Sequence, residues 1–169
     1  MEAKELAEHA QHYHACFSGL KGILESKSET ELLKLYKDNI DFCLNENFPG
    51  LDYLKTVDPN LLAKEGIFTD GDVLSRNADF LVFLDTSIAK VSIDQYNVSQ
   101  IFIKEKAVAD IEVSGHAYVV IDCFDDTCVE VVASGNAKVL INVYGNPQVD
   151  FEQKDGSQIK VVNKGKDKY

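Results

Sequence analysis

The chain lacks most of the signatures by which a sequence announces chemistry. No GxGxxG, GxxxxGK[ST] or HExxH occurs in its 169 residues, so the common nucleotide-phosphate cradles and the zinc-protease helix are not readable. Four cysteines, Cys16, Cys43, Cys123 and Cys128, show no CxxC spacing, and without a secretion signal they are expected to be reduced thiols. The stretch Met1 to Ala10 is acidic and has no apolar h-region. No run approaches the ~18 apolar residues of a membrane span. The expectation is a protein made in a cytoplasm, whether it stays there or is incorporated into a virion. Positive charge is scarce too. Lys and Arg number 17 against 28 Asp and Glu, a net charge of −11. Such a surface repels phosphate backbones and anionic bilayers, so neither nucleic acid nor membrane is an expected partner. The lysines that exist are concentrated: residues 154–169 hold five Lys against two Asp, a net of +3, leaving −14 on the rest. That reads as a solvated terminus, with contact to a neighbouring copy as the alternative.

What the chain does have begins with helical periodicity. Leu6, Ala10, Tyr13, Phe17, Leu20 and Leu24 share one stripe at helical spacing, with Gly19 and Gly22 weakening its end. Ser28 with Glu31 is a capping-box pattern ahead of Leu32, Leu33, Tyr36, Ile40, Cys43 and Leu44, predicting a second helix to about Asn45. Phe48-Pro49-Gly50 turns the chain. Leu51 to Val57 can add a turn or two of helix. Asp58-Pro59 starts a short helix through Lys64, with Gly66 ending it.

From about Leu74 the period changes to ten. One column reads Leu81, Val91, Ile101, Ile111, Ile121, Val131, Ile141, Phe151, Val161, apolar throughout. Two residues later come Phe83, Ile93, Ile103, Val113, Cys123, Ala133 and Val143, failing only at Gln153 and Asn163. Two residues earlier lie Ala89, Ala109, Val119, Val129, Val139, Val149 and Ile159, with Asp79 and Ser99 as exceptions. Every unit breaks at Asp85, Gln95, Glu105, Gly115, Asp125, Gly135, Gly145, Asp155 or Gly165. Small residues (Ala107, Ala117, Thr127, Ala137, Ser157) precede most of the strands. An even repeat with odd inward offsets keeps one face inward in every unit. Regular short units of this kind are the mark of a stacked repeat.

The fold class expected is therefore mainly β with an N-terminal α part. A helical domain over residues 1–70 is followed by a decapeptide-repeat β-solenoid over 71–165 and a basic tail over 166–169. The alternative is an antiparallel β-meander or sandwich. A solenoid has open ends that need covering. The helices are placed to cap the first coil, and the failing columns at Gln153 and Asn163 read as a soluble end. Coils of twenty or of thirty residues both suit the pattern.

The candidate sites depend on that length. Asp110, Glu130 and Asp150 would stack about 4.8 Å apart in twenty-residue coils and could recruit a cation such as calcium. Glu112 and Glu152 form a second such column, and thirty-residue coils dissolve both. His9, His12 and Cys16 fall on one helical face at a spacing that can bind zinc or nickel, although exposed histidines on the flank of an apolar stripe are the simpler reading. Asp122, Asp125, Asp126 and Glu130 surround Phe124, and a paired-carboxylate glycosidase or lyase could be built from such residues. Short turns leave little room for its cleft. His116 stands in a turn with no Ser or Cys nucleophile at recognisable spacing. Cys123 reads as a small core residue. Phe102, Val108, Tyr118, Val120, Val132 and Leu140 are apolar at outward positions and make a candidate interaction surface. No cofactor is expected. The expected partners are further copies of the chain or other structural proteins.

The runs from Val108 to Val119 and from Ala137 to Gly145 resemble short-repeat β-solenoid proteins, of the autotransporter-adhesin-head-like kind and more distantly the bactofilins. The resemblance covers about residues 75–165 and rests on the repeat rather than on a signature motif. It implies a non-enzymatic structural or assembly protein. Adhesin-head-like proteins usually carry an export signal, which this sequence does not show. The layout of a helical head, Gly66-Ile67-Phe68 and a solenoid is also similar to uncharacterised proteins of gut bacteria and their phages, implying a virion or mobile-element component. The alternative function is a carbohydrate- or cation-binding module using the acidic ridge.

Overall fold

The computed structural model describes residues 3–169; Met1 and Glu2, the start of the acidic N-terminal stretch, lie outside it. The chain divides into a helical unit ending at Glu65 and a β unit over Gly66–Lys168. The helical unit contains α1 (Ala3–His12), α2 (Phe17–Glu25), α3 (Glu29–Asp38), α4 (Ile40–Glu46), α5 (Leu51–Leu54) and α6 (Pro59–Lys64).

The first apolar stripe is thus two helices rather than one. His14 takes a left-handed φ of 60°, and the Ala15 N–H closes onto the Ala10 carbonyl at 3.1 Å, which ends α1. Cys16 then restarts the chain as a cap, its Sγ accepting from the Gly19 N–H at 3.4 Å. The stripe breaks with the helix: Phe17 and Leu24 are 81% and 58% exposed. The second expected helix also splits, at Asn39, whose side chain donates back to the Leu35 carbonyl at 2.9 Å. The predicted caps do form. Ser28 Oγ accepts from the Glu31 N–H, and Glu31 returns to the Lys27 N–H. Asp58 caps α6 through the Asn60 N–H at 2.9 Å, with Pro59 in the first turn.

The β unit runs β1 (Ile67–Phe68), β2 (Asp72–Arg76), β3 (Phe80–Phe83), β4 (Ile88–Ile93), β5 (Val98–Ile103) and β6 (Val108–Val113). It continues with β7 (Tyr118–Cys123), β8 (Cys128–Ala133), β9 (Lys138–Val143), β10 (Gln148–Gln153) and β11 (Gln158–Asn163). Odd strands form a six-stranded sheet and even strands a five-stranded one. Every pairing is parallel, and from β3 onward partners of the odd strands are twenty residues apart, as in Ile101 with Ile121 and Ile121 with Ile141. Even strands follow the same rule, as in Ile111 with Val131 and Val131 with Phe151. The fold is a β-solenoid of two strands and twenty residues per coil, of about five turns. Parallel pairing excludes the meander. The first coil is shorter, with Ile67 opposite Val82 and Asp72 opposite Ile88, so the sheet begins ahead of the boundary at residue 71.

The column that breaks each unit has a single structural meaning. Asp85, Gln95, Glu105, Asp125 and Asp155, with Gly115, Gly135, Gly145 and Gly165, all have φ between 51° and 75°. Each corner turns on one left-handed residue. Two of the corners need glycine for space as well: a Cβ on Gly115 would lie 2.9 Å from Gln95 N, and one on Gly135 would lie 3.1 Å from Gly115 N and O.

Inside, the three apolar columns interlock in one cluster from Val73 to Ile141, with Ile101, Ile121, Ile141 and Cys123 fully buried. Each such isoleucine contributes roughly 1.5–3 kcal/mol of burial. The small residues before the strands face inward too, where a corner narrows the coil: Ser87, Ala107, Thr127 and Ala137 are fully buried. The hydroxyls among them are satisfied within the corner. Ser87 Oγ donates to the Leu84 carbonyl at 2.5 Å and Thr127 Oγ1 to the Phe124 carbonyl at 2.9 Å.

Candidate functional site

Strands alternate between the two sheets, so residues ten apart face opposite sides of the solenoid. This divides the expected apolar surface. Tyr118, Val120 and Leu140 belong to the six-stranded sheet, on β7 and β9, whereas Val108 and Val132 belong to the five-stranded sheet, on β6 and β8. Phe102 leaves the surface altogether, being fully buried with its ring 5.6 Å from that of Phe80. The six residues are not one patch.

The burial of Phe102 is shared by its column. Val82, Phe102, Asp122 and Asn142 stack at twenty-residue register on the outward face of the six-stranded sheet, and all are buried. Within the column Asn142 Nδ2 donates to Asp122 Oδ1 at 2.5 Å. The next corner position behaves alike. Leu84, Lys104, Phe124 and Tyr144 are buried, and the Phe124 and Tyr144 rings stack at 4.7 Å. Lys104 Nζ lies 5.6 Å over the Phe124 ring, and Lys164 Nζ lies 5.9 Å over the Tyr144 ring.

The acidic group around Phe124 does not converge. Asp122 belongs to the buried column, Asp126 is exposed, and Glu130 lies on the opposite sheet. Asp125 is engaged at the corner, where it accepts from Lys104 Nζ at 2.7 Å and from the Glu105 N–H at 3.1 Å. Glu105 in turn accepts from the Asp85 N–H at 2.6 Å. The left-handed corner residues of successive coils are thus linked carboxylate to amide, and Asp155 repeats the link to the Gly135 N–H at 3.0 Å on the other edge. Partial burial raises the Glu105 carboxyl above its ordinary range, with Asp85 and Asp125 adding to the shift.

Asp110, Glu130 and Asp150 do stack on the outward face of the five-stranded sheet, each directly opposite the next and all exposed. Glu112 and Glu152 do not meet, because Val132 stands between them. His9 and His12 both lie on α1, and the end of that helix separates them from Cys16. His9 packs at 5.2 Å from Tyr13 and 5.7 Å from Phe48, and Cys16 begins the next helix. Among the described residues no group of three or more His, Cys, Asp or Glu side chains is arranged to hold a metal ion. His116 stacks on Tyr96 at 4.9 Å.

The sequence did not reveal two further features. The helical unit holds a partly open apolar cavity of about 290 Å³, lined by residues such as Leu6, Ile23, Leu33, Phe42 and Val57. Cys16 borders it, its thiol lowered in pKa by hydrogen bonds from Ser18 and the Gly19 N–H, whereas burial pushes the Cys43 thiol up to about 12.

The second feature is the last coil. Phe151 and Val161 belong to the inward column, yet they are 52% and 40% exposed. Their strands β10 and β11 are the terminal members of both sheets, each paired on one side only. The end is soluble at its rim, where Gln153 and Asn163 replace the apolar column, but its centre is open. Its outward faces carry opposite charge: Asp150 and Glu152 on β10, Lys160 on β11, all exposed. No helix among the described residues is long and apolar enough to cross a membrane. Comparison with protein-family models, with curated proteins and with solved structures finds no match to this chain.

Proposed function

We propose that this chain is a non-enzymatic structural protein that assembles through its solenoid. One observation carries the reading: the terminal coil presents two strand edges and the exposed core residues Phe151 and Val161 together, on the same end of the solenoid. An open sheet edge is a template for another strand, and proteins that do not use it cover, bulge or charge it. Here apolar inward residues sit directly on that edge. The rest of the unit suits a scaffold. Parallel coils linked by short corners make a stiff body of regular strands rather than a set of mobile loops.

Mass determination by light scattering at tens of micromolar tests the proposal. A mass that is a multiple of 18.8 kDa supports it, and a strict monomer overturns it.

A further inference from the structure

The partner at the open end follows from its charge and its strand parity. We propose that the end of the solenoid binds a second copy of the same chain by a two-fold axis, with β11 of each copy pairing antiparallel to β10 of the other. This rests on the assembly reading above and names its partner and geometry.

The edge groups come first. The Gln158 N–H is turned toward β9, bonded to the Ala137 carbonyl, and the Gln148 N–H is turned toward β8, bonded to the Thr127 carbonyl. Alternation then directs the backbone groups of Ile159, Val161 and Asn163, and of Val149, Phe151 and Gln153, to the free edges. These odd-numbered residues are the ones whose side chains face the core. A strand added at this end would therefore continue the backbone ladder and the apolar column at once. Gln153 Oε1 accepts the Ile159 N–H at 2.8 Å, so one edge donor is held by a side chain of the same coil, which an incoming strand displaces.

Symmetry then restricts how two such ends meet. A two-fold axis across the solenoid axis leaves two arrangements, because the strands of one coil run in opposite directions. In one, each strand meets its own counterpart. The Lys160 side chains of the two copies then come together on one sheet, and Asp150 and Glu152 meet the same acids of the second copy on the other, which is unfavourable on both sheets. In the other, β11 meets β10. Inward residues must match inward residues, so Lys160 falls opposite Asp150 or Glu152 of the second copy in either allowed register. Ile159 and Val161 fall opposite odd-numbered residues of β10, which include Val149 and Phe151. The contact is made twice by symmetry. Glu152 is also within 3.0 Å of Lys154 in its own chain, which leaves Asp150 as the freer acid.

The test uses the full chain and four forms: wild type, Phe151→Asp, Lys160→Glu, and Lys160→Glu with Asp150→Lys. Each is followed by sedimentation or light scattering over a concentration series, with circular dichroism to confirm folding. The wild type is expected as a dimer. Lys160→Glu, an exposed change, should raise the dissociation constant roughly tenfold because two contacts reverse sign. The double charge exchange should restore it, and Phe151→Asp should abolish the dimer. A dimer indifferent to Phe151→Asp would leave assembly standing and overturn this interface. Association of Lys160→Glu as strong as that of the wild type would point to like-strand pairing, in which the reversal leaves like charge facing like, and overturn the geometry. Masses growing beyond the dimer would mean open stacking and overturn the two-fold, whereas a monomeric wild type would remove the assembly reading itself.

Discussion

A left-handed residue costs an ordinary amino acid roughly 1–2 kcal/mol, and this solenoid places one at each of nine corners. Four of them are glycine, and several of the others use the side chain that the conformation leaves outside, as Glu105, Asp125 and Asp155 do by accepting the corner amide of the preceding coil. The glycines are not equivalent. Gly115→Ala adds a Cβ against backbone atoms 2.9 and 3.0 Å away, whereas Gly165→Ala meets nothing within 4 Å. We expect the first to cost about 2–4 kcal/mol and the second about 1 kcal/mol, read by urea denaturation. Glu105 gives a pH effect. Its carboxyl holds a proton more tightly in the fold than in the unfolded chain, chiefly through burial. Its contribution to stability is therefore greatest below the ordinary glutamate range and declines as pH rises through the raised folded value. Glu105→Gln keeps an acceptor for the Asp85 N–H. It should lose that decline, so that its melting temperature gains on the wild type between acidic and neutral pH; a parallel pair of pH profiles would contradict this. At this scale the break column was legible as a turn, since Asp and Gly recur there. That every member is left-handed was not, because Gln95 and Glu105 have no strong preference for that region.

The elements differ in how much of them the sequence carries. Strands were readable because three inward columns repeat without a slip, and burial then does the rest: Ile121 is fully buried with Ile101 and Ile141 as its neighbours. Ile121→Ala should cost about 2–5 kcal/mol by thermal or chemical melting, while Val161→Ala, half exposed on the last strand, should cost under 1 kcal/mol. Equal losses would mean that the last coil is covered in solution, which is the outcome expected if the dimer persists at the melting concentration; dilution should then separate the two. Helix boundaries were less legible. A helical stripe from Leu6 to Leu24 says nothing about a thiol that can cap a helix or a histidine that can end one, and those two residues divide it.

For the molecule as a whole the unresolved quantity in the sequence was coil length, since twenty and thirty both preserve the inward parity. The distinguishing signal sits in the corner position just before each break. Taken every twenty residues it reads Leu84, Lys104, Phe124, Tyr144, Lys164 on one edge and Asp94, Ser114, Ser134, Lys154 on the other. Large side chains occupy one edge and small or polar ones the other, and the same division explains why Phe102 is buried while Glu112 is not. The apolar outward positions divide between two faces because the space around them has a period of twenty, whereas the sequence shows a period of ten. A deletion separates the two periods. Removing residues 104–123 joins Ile103 to Phe124 and returns every later strand to its own sheet, so a cooperative fold with a modestly lowered melting temperature is expected. Removing residues 104–113 keeps the inward columns but moves each later strand to the opposite sheet, exchanging Asp122 and Phe124 with positions that face solvent. We expect that variant to melt at least 10 °C lower, at or beyond the loss of roughly 2 kcal/mol.

The coil also sets a unit of length. Parallel strands lie about 4.8 Å apart, so the solenoid can change its reach only in steps of that size, each worth twenty residues, and every step leaves the two ends chemically as they were. A lineage that duplicates or loses one coil would obtain a longer or shorter rod with the same terminal strands, able to meet the same partner at a new separation. Span and recognition are written in different parts of the chain, and the first can vary without disturbing the second.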